Sequence, residues 1–349
     1  MDNRRRNAIY SLVLVVVLIA VWTYRNNTDD AKESPLPYTL ITGEAQGTTY
    51  SITYQDSLGR NFKLPIDSIL LDFDKALSTY RTNSEISYFN QPENDTLTFK
   101  SKYFYPVLES AEKIYKASDG AFDPTIYPLI KAWNITKGGD NLPDSALIES
   151  IKENTGFDKI NYNKQAVWTE NKAIGLNFNA SAQGYAIDVL FSFLKKQDIK
   201  NMMIELGGEV RAAGLSSRDE PWSIGIDNPQ YQKGKEKRAA IIKVKDEAIS
   251  TSGNYRNFFT RNGVTYGHTI DPRTGYPVQK DIISATVLAE TCMEADAWST
   301  AFMVLGMEES KKILTQQTNL KVYFIYVDES GTAQNYYSDN LAPIITVEQ

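Results

Sequence analysis

Asp296 and Thr300 stand four residues apart in Glu294-Ala295-Asp296-Ala297-Trp298-Ser299-Thr300. On a helix that spacing sets a carboxylate and a hydroxyl over one spot. Two such oxygens suit a Mg²⁺ ion that keeps several of its waters. The competing reading is a plain solvated face, because Trp298, Ala301, Phe302 and Leu305 would share the opposite, packed side. Upstream, Gly267-His268-Thr269-Ile270-Asp271-Pro272-Arg273-Thr274-Gly275-Tyr276-Pro277 is turn-rich and holds the only histidine of 349 residues. Neutral imidazole is matched to proton transfer near pH 7, although a single loop histidine also serves structural ends. Arg273 offers a guanidinium fork to phosphate oxygens, or a partner to Asp271. Ile249 to Arg256, with Ser250, Thr251 and Ser252 in succession, reads as a loop that can turn hydroxyls and N–H groups toward an anion. Ala121-Phe122-Asp123-Pro124-Thr125 and Leu77-Ser78-Thr79-Tyr80-Arg81 set aromatics beside polar groups, either to stack on a planar ring or to fill loop and core. Together these runs suggest a hard-metal, phosphate-handling site.

Composition narrows the chemistry. One cysteine, Cys292, and one histidine cannot assemble a Cys/His zinc cluster, nor can one cysteine form an intrachain disulfide. Any bound metal must therefore take oxygen ligands, which favours Mg²⁺, with Ca²⁺ as the other choice. A net charge of −6 gives no electrostatic footprint for nucleic acid.

The elements that must position these residues follow from periodicity. Arg4, Arg5 and Arg6 precede an apolar stretch from Ala8 to Trp22, read as a membrane anchor over 8–24 with a cytoplasmic basic tail at 1–7. A cleaved signal peptide is the alternative, but no small-x-small site follows the apolar core. Residues 25–37 form a tether, 38–340 the catalytic body and 341–349 a C-terminal tail. Tyr38 to Tyr54 reads as a strand pair around Gly43 and Gly47. Helical stripes run through Ile66, Ile69, Leu70, Phe73 and Leu77, and through Phe104, Val107, Leu108, Ala111, Ile114 and Tyr115. Asp144 begins a third helix ended by Gly156, and Asn179 caps a fourth that buries Ala182, Tyr185, Ala186, Val189 and Phe193. Strands are expected at Met202–Leu206, Val210–Ala213, Trp222–Ile226, Ala239–Val244, Ile283–Leu288 and Val322–Val327. The last is apolar throughout, as a strand covered on both faces would be. No regular βαβ rhythm appears, so the expected class is α+β, one two-lobed domain of mixed or antiparallel sheets with packed helices.

In order and spacing these segments resemble the ApbE family of FAD:protein FMN transferases, from about residue 38 to 335. The carriers are Gly47-Thr48-Thr49-Tyr50, Leu77-Ser78-Thr79-Tyr80, Gly120-Ala121-Phe122-Asp123-Pro124-Thr125, Ala182-Gln183-Gly184-Tyr185-Ala186-Ile187-Asp188, Leu206-Gly207-Gly208-Glu209, Ile249 to Arg256, His268 to Pro277 and Glu294 to Thr300. The resemblance implies transfer of FMN from FAD to a Thr or Ser hydroxyl of another protein, with AMP leaving and Mg²⁺ required. It implies metal ligation by Asp296, Thr300 and the Ala180 carbonyl, and His268 as general base. Tyr80, Ala121, Phe122, Asp123, Asn177, Gln183, Ser252 and Arg256 are the implied contacts to FAD. Three positions depart from the family: Gln46 stands where Met is frequent, Asn177 where Asp is, and Gln183 where Lys or Glu is.

The implied acceptors are membrane flavoproteins, such as subunits of sodium-pumping NADH:quinone oxidoreductase or Rnf-type complexes, carrying an Asp-x-x-Ser/Thr-Gly-Ala-Ser/Thr motif. The expected location is the bacterial inner membrane, single-pass, with the catalytic domain facing the periplasm. A metal-dependent FAD pyrophosphatase and a non-catalytic FAD-binding protein are the other functions compatible with the same residues.

Overall fold

A computed structural model of the protein describes residues 13–21, 36–133, 142–229, 237–254, 258–261, 264–267 and 269–348, and for 258–261 and 264–266 the backbone alone. The principal sheet has eight strands in the order β1 (Tyr38–Ala45), β2 (Thr48–Gln55), β6 (Met202–Leu206), β7 (Glu209–Ala213), β10 (Ala248–Gly253), β13 (Ile282–Ala289), β14 (Lys321–Val327) and β15 (Ala333–Tyr337). Every neighbouring pair in it is antiparallel. Three smaller antiparallel sheets accompany it: β16 (Ile345–Val347) with β9 (Arg238–Val244) and β8 (Trp222–Asp227); β3 (Thr96–Thr98) with β5 (Ala166–Trp168) and β4 (Asn161–Tyr162); and β11 (Phe258–Arg261) with β12 (Val264–Gly267). The helices are α1 (Lys63–Leu77), α2 (Glu85–Phe89), α3 (Phe104–Ala117), α4 (Tyr127–Trp133), α5 (Ser145–Lys152), α6 (Asn179–Lys196) and α7 (Cys292–Leu314). The α+β expectation holds, with antiparallel sheets.

Local chemistry explains the elements. β1 and β2 join through Gln46 and Gly47, both at positive φ, the two-residue turn whose twist matches a hairpin. Asp119 and Gly120, also at positive φ, follow the end of α3. Asp144 caps α5 by accepting the Leu147 N–H at 2.7 Å; the helix stops at Lys152, short of Gly156.

The principal sheet separates two cores. On one face lie α1, α3, α6 and α7, packed through Phe73, Phe104, Ile187, Leu190, Trp298 and Phe302. On the other, the β16-β9-β8 sheet packs through Trp222, Ile226, Ile242 and Val244 against Ile249, Leu288, Tyr323 and Ile325. β14 sends Val322 and Phe324 into the first core, Tyr323 and Ile325 into the second. That is the doubly covered strand its composition predicts.

At the N-terminus residues 13–21 are helical and exposed. Among the described residues no helix is long and apolar enough to cross a membrane, and the remainder of the expected 8–24 anchor lies outside them.

Candidate functional site

α6 and α7 cross in direct contact, and that crossing organises the site. Asp188 of α6 accepts the N–H groups of Cys292 and Met293 at 2.9 Å each, and so caps the first turn of α7. Arg211 of β7 donates to the same carboxylate at 2.5 Å. Thr291 adds a side-chain cap to the Glu294 N–H at 3.2 Å. Gly184 makes the crossing possible: a Cβ there would stand 2.2 Å from the Cys292 carbonyl oxygen and 2.9 Å from Asp296 Cβ. The glycine of the Ala-Gln-Gly-Tyr run is thus a packing requirement.

One turn beyond the cap, Asp296 is buried at 6% exposure and accepts the Gly184 N–H on Oδ2 at 3.1 Å. Burial, reinforced by the nearby negative Asp188, pushes the Asp296 pKa up to about 7, while the Gly184 N–H and the Ser250 hydroxyl oppose the rise. Thr300, one turn on, lies 3.3 Å from Ser252 Oγ, and Ser252 lies 2.7 Å from Ser299 Oγ. Ser299 in turn donates to the Asp296 carbonyl at 2.8 Å.

These groups open onto a cleft of about 710 Å³, the size of a ligand pocket. It sits where β6 ends at Gly207-Gly208, β7 begins at Glu209, and β10 runs on past its pairing with β7, which covers only Ala248 and Ile249. β10 outruns the β6–β7 hairpin there, and Thr251, Ser252 and Gly253 line the space. Tyr80, Ala121, Phe122, Asp123, Asn177, Ala180, Gln183, Ser252, Asp296 and Thr300 all line it. His268 and Arg256 lie outside the described residues.

Each wall has its own support. Asp123 accepts the Thr125 N–H at 2.8 Å and hydroxyl at 2.7 Å, and burial pushes its pKa up to about 6 against those bonds. Asn177 donates its N–H to the Pro124 carbonyl at 2.7 Å, and its Oδ1 accepts the Asn179 N–H at 2.8 Å. The N-cap of α6 is Phe178, without a side-chain cap, and Asn179, whose N–H Asn177 receives, is the first helical residue. Asn179 Nδ2 donates to the exposed Tyr80 hydroxyl at 3.4 Å. The α6 N-terminus meets the cleft at Asn179 and Ala180, a position that favours a bound anion. A smaller cavity of about 190 Å³ joins Gln46, Asp74 and Ser78 to Tyr80, Asn179 and Gln183.

Three expectations change. Ile249–Gly253 is a strand, and its hydroxyls are ordered by α7 and by Thr286 (Thr251 Oγ1 to Thr286 Oγ1, 2.9 Å). Arg273 pairs with Asp271 at 3.0 Å and Glu309 at 3.1 Å, leaving the phosphate alternative aside; this holds its turn together. Asp296 and Thr300 do not lie on a solvated face, since α7 is buried on nearly all sides. Sequence reasoning missed Glu205 and the β8 residues Ser223 to Asp227 as lining groups. Only the alternation of β8 signalled a strand, and alternation does not say what lies beside it.

The donors fit a hard cation. Asp296, Thr300 and Ala180, which carry a carboxylate, a hydroxyl and a main-chain carbonyl, line the same space, and the Gly184 N–H and Ser250 hydroxyl that meet Asp296 are both uncharged. Among the described residues no group of three His, Cys, Asp or Glu side chains could hold a metal alone. An ion here would complete its shell with water or ligand oxygens.

The ApbE family model matches residues 46–324. The chain belongs to the ApbE family. A FAD:protein FMN transferase of Vibrio cholerae serotype O1 is 31% identical over 320 residues, covering 90% of this chain and 95% of that one. One from Haemophilus influenzae is 33% identical over 304 residues, covering 83% and 87%. The solved structure of the flavin transferase ApbE from Vibrio cholerae superposes with a TM-score of 0.79 at 30% identity, over 89% of this chain and all of that one. The apo flavinyl transferase ApbE of Pseudomonas stutzeri gives 0.78 at 28% identity, over 88% and 96%. As an ApbE protein the chain is an enzyme, a transferase.

Proposed function

We propose that the cleft binds FAD and that the enzyme transfers FMN from it to a Ser or Thr hydroxyl of an acceptor flavoprotein. The supporting observation is one of convergence. Asp296, Thr300 and Ala180 line the same cleft as the aromatic and amide residues Tyr80, Phe122, Asn177 and Gln183. In the reaction, the acceptor oxygen bonds to the FMN phosphorus as the phosphorus–oxygen bond to AMP breaks. AMP leaves, and the hydroxyl proton passes to a base, the role assigned to His268. Phosphoryl transfer of this kind asks for positioning and charge neutralisation.

The chain's own residues supply most of that. Tyr80 and Phe122 offer faces for the flavin ring system, and the α6 N-terminus favours the pyrophosphate. Ser252 and Ser299 fix the rotamer of Thr300, and Gly184 with the Asp188 cap fixes Asp296. Asp296, Thr300 and the Ala180 carbonyl would hold Mg²⁺ (or Ca²⁺), which neutralises pyrophosphate charge when bound. The proposed setting is the outer face of a bacterial inner membrane, with residues 8–24 as anchor. Acceptors would be membrane flavoproteins bearing the Asp-x-x-Ser/Thr-Gly-Ala-Ser/Thr motif.

The test mixes protein, FAD, Mg²⁺ and a motif-bearing acceptor. A flavin-fluorescent acceptor band surviving denaturation, with AMP in equal amount, is expected. Rapid AMP and free FMN without any acceptor would instead establish a pyrophosphatase.

A further inference from the structure

The cleft has a second wall that the nucleotide contacts leave unused. Ser223, Ile224, Gly225 and Ile226 of β8 line it in succession. A strand turns alternate residues to opposite faces, so consecutive lining residues mean that the cleft meets the strand's edge. β8 is the terminal strand of its sheet, and among the described residues no strand pairs with it on the outer side. The edge is held firmly from behind. Trp222 and Ile226 are buried in the second core, Trp222 Nε1 donates to the Ala213 carbonyl at 3.1 Å, and pairing with β9 runs unshifted from Trp222 to Ile226.

We propose that this edge receives the acceptor segment as an added strand. The inference rests on the FMN-transfer reading and specifies how its second substrate is held. An in-line displacement needs the attacking hydroxyl opposite the departing AMP, so the acceptor requires a wall of its own. The implied FAD contacts Tyr80, Ala121 to Asp123, Asn177 and Gln183 belong to other segments, whereas β8 stands on the small sheet. Main-chain pairing along an open edge gives affinity with little demand on side chains. That suits an enzyme whose acceptor is a short segment, where Gly-Ala beside the hydroxyl residue lets backbones approach closely.

Amide hydrogen exchange on the full-length protein in detergent tests this, with FAD, AMP or a short synthetic peptide of the sequence Asp-Ala-Ala-Thr-Gly-Ala-Thr. The peptide should slow exchange across 222–226 beyond any effect of FAD or AMP. Peptides N-methylated one amide at a time should then respond with a period of two. Methylation at alternate amides should raise the peptide KM by roughly tenfold, and at the amides between them hardly at all. The KM for FAD should not move. Full protection by FAD or AMP alone, or an N-methyl response without that period, would overturn the proposal. Slowed exchange at β8 with no FMN reaching the unmethylated peptide would refute the transferase reading while leaving the docked strand in place.

Discussion

Two helices on the same face of the sheet carry polar residues under opposite conditions. α3 buries Phe104, Val107, Leu108, Ala111 and Ile114 and leaves Lys113 and Lys116 wet. α7 buries Cys292, Ala295 to Ser299 and Ala301 to Met307, with Asp296 and Ser299 inside that shell. On α3 a polar side chain meets water and needs no protein partner. On α7 a polar side chain inside the Cys292–Met307 shell gains from a protein partner, because an unpaired buried polar group costs on the order of 1–3 kcal/mol. Asp296 finds the Gly184 N–H, Ser299 the Asp296 carbonyl and Ser252, and the α7 terminus the Asp188 carboxylate. Polar residues kept in such surroundings mark the working part of the molecule.

Replacements can break or sharpen this contrast. Asp296→Ala should lower FMN transfer by about 1,000-fold or more, the scale of a lost transition-state electrostatic contact; transfer within tenfold of wild type, by the band assay, would remove Asp296 from the site. Asp188→Ala uncaps α7 and strands the buried Arg211. A loss of about 3–5 kcal/mol in urea unfolding is expected, with Asp188→Asn milder.

Asp296→Asn should separate function from stability. The folded pKa of about 7 lies above the ordinary 3.8, so the folded state holds the proton more tightly. Its stabilising contribution is complete below about pH 4 and is lost as pH rises through 7. In metal-free buffer the Asn variant should therefore match wild type near pH 4 and exceed it by up to about 4 kcal/mol at pH 8. Mg²⁺ should raise the wild-type Tm at pH 8 and leave the variant unmoved. A pH-independent difference in unfolding would sink the account of Asp296 as a strained buried carboxylate. Lys116→Ala on α3 breaks only an exposed pair with Glu112 and should cost about 0.3–0.5 kcal/mol.

The contrast also explains what was legible beforehand. α1 and α3 show one face to water and Val322 to Val327 of β14 is apolar throughout, so periodicity and composition locate them. α6 has no such face: Ile187, Leu190 and Leu194 are fully buried while Val189 and Phe193 are only partly so, and the stripe expected there is rotated. The hydroxyl run of β10 reads as a loop because its polarity serves α7 and the cleft, and only its pairing with β13 makes it a strand. Likewise Phe178 is the N-cap of α6 and Asn179 its first helical residue, a choice between adjacent residues that backbone angles decide.

The chain's own residues determined the chemistry that could be assembled: oxygen ligands alone, a helical carboxylate–hydroxyl pair, aromatic and amide contacts, and the ordered motifs of the ApbE family. Those are matters of residue type and spacing, which local geometry conveys. Tertiary structure decided which of them meet. The reach of β10 past the β6–β7 hairpin, the Gly184 crossing and the place of β8 at the end of its sheet among the described residues each depend on backbone segments far apart in sequence. No local preference encodes such contacts, because they are fixed only when the two cores close on either side of one sheet.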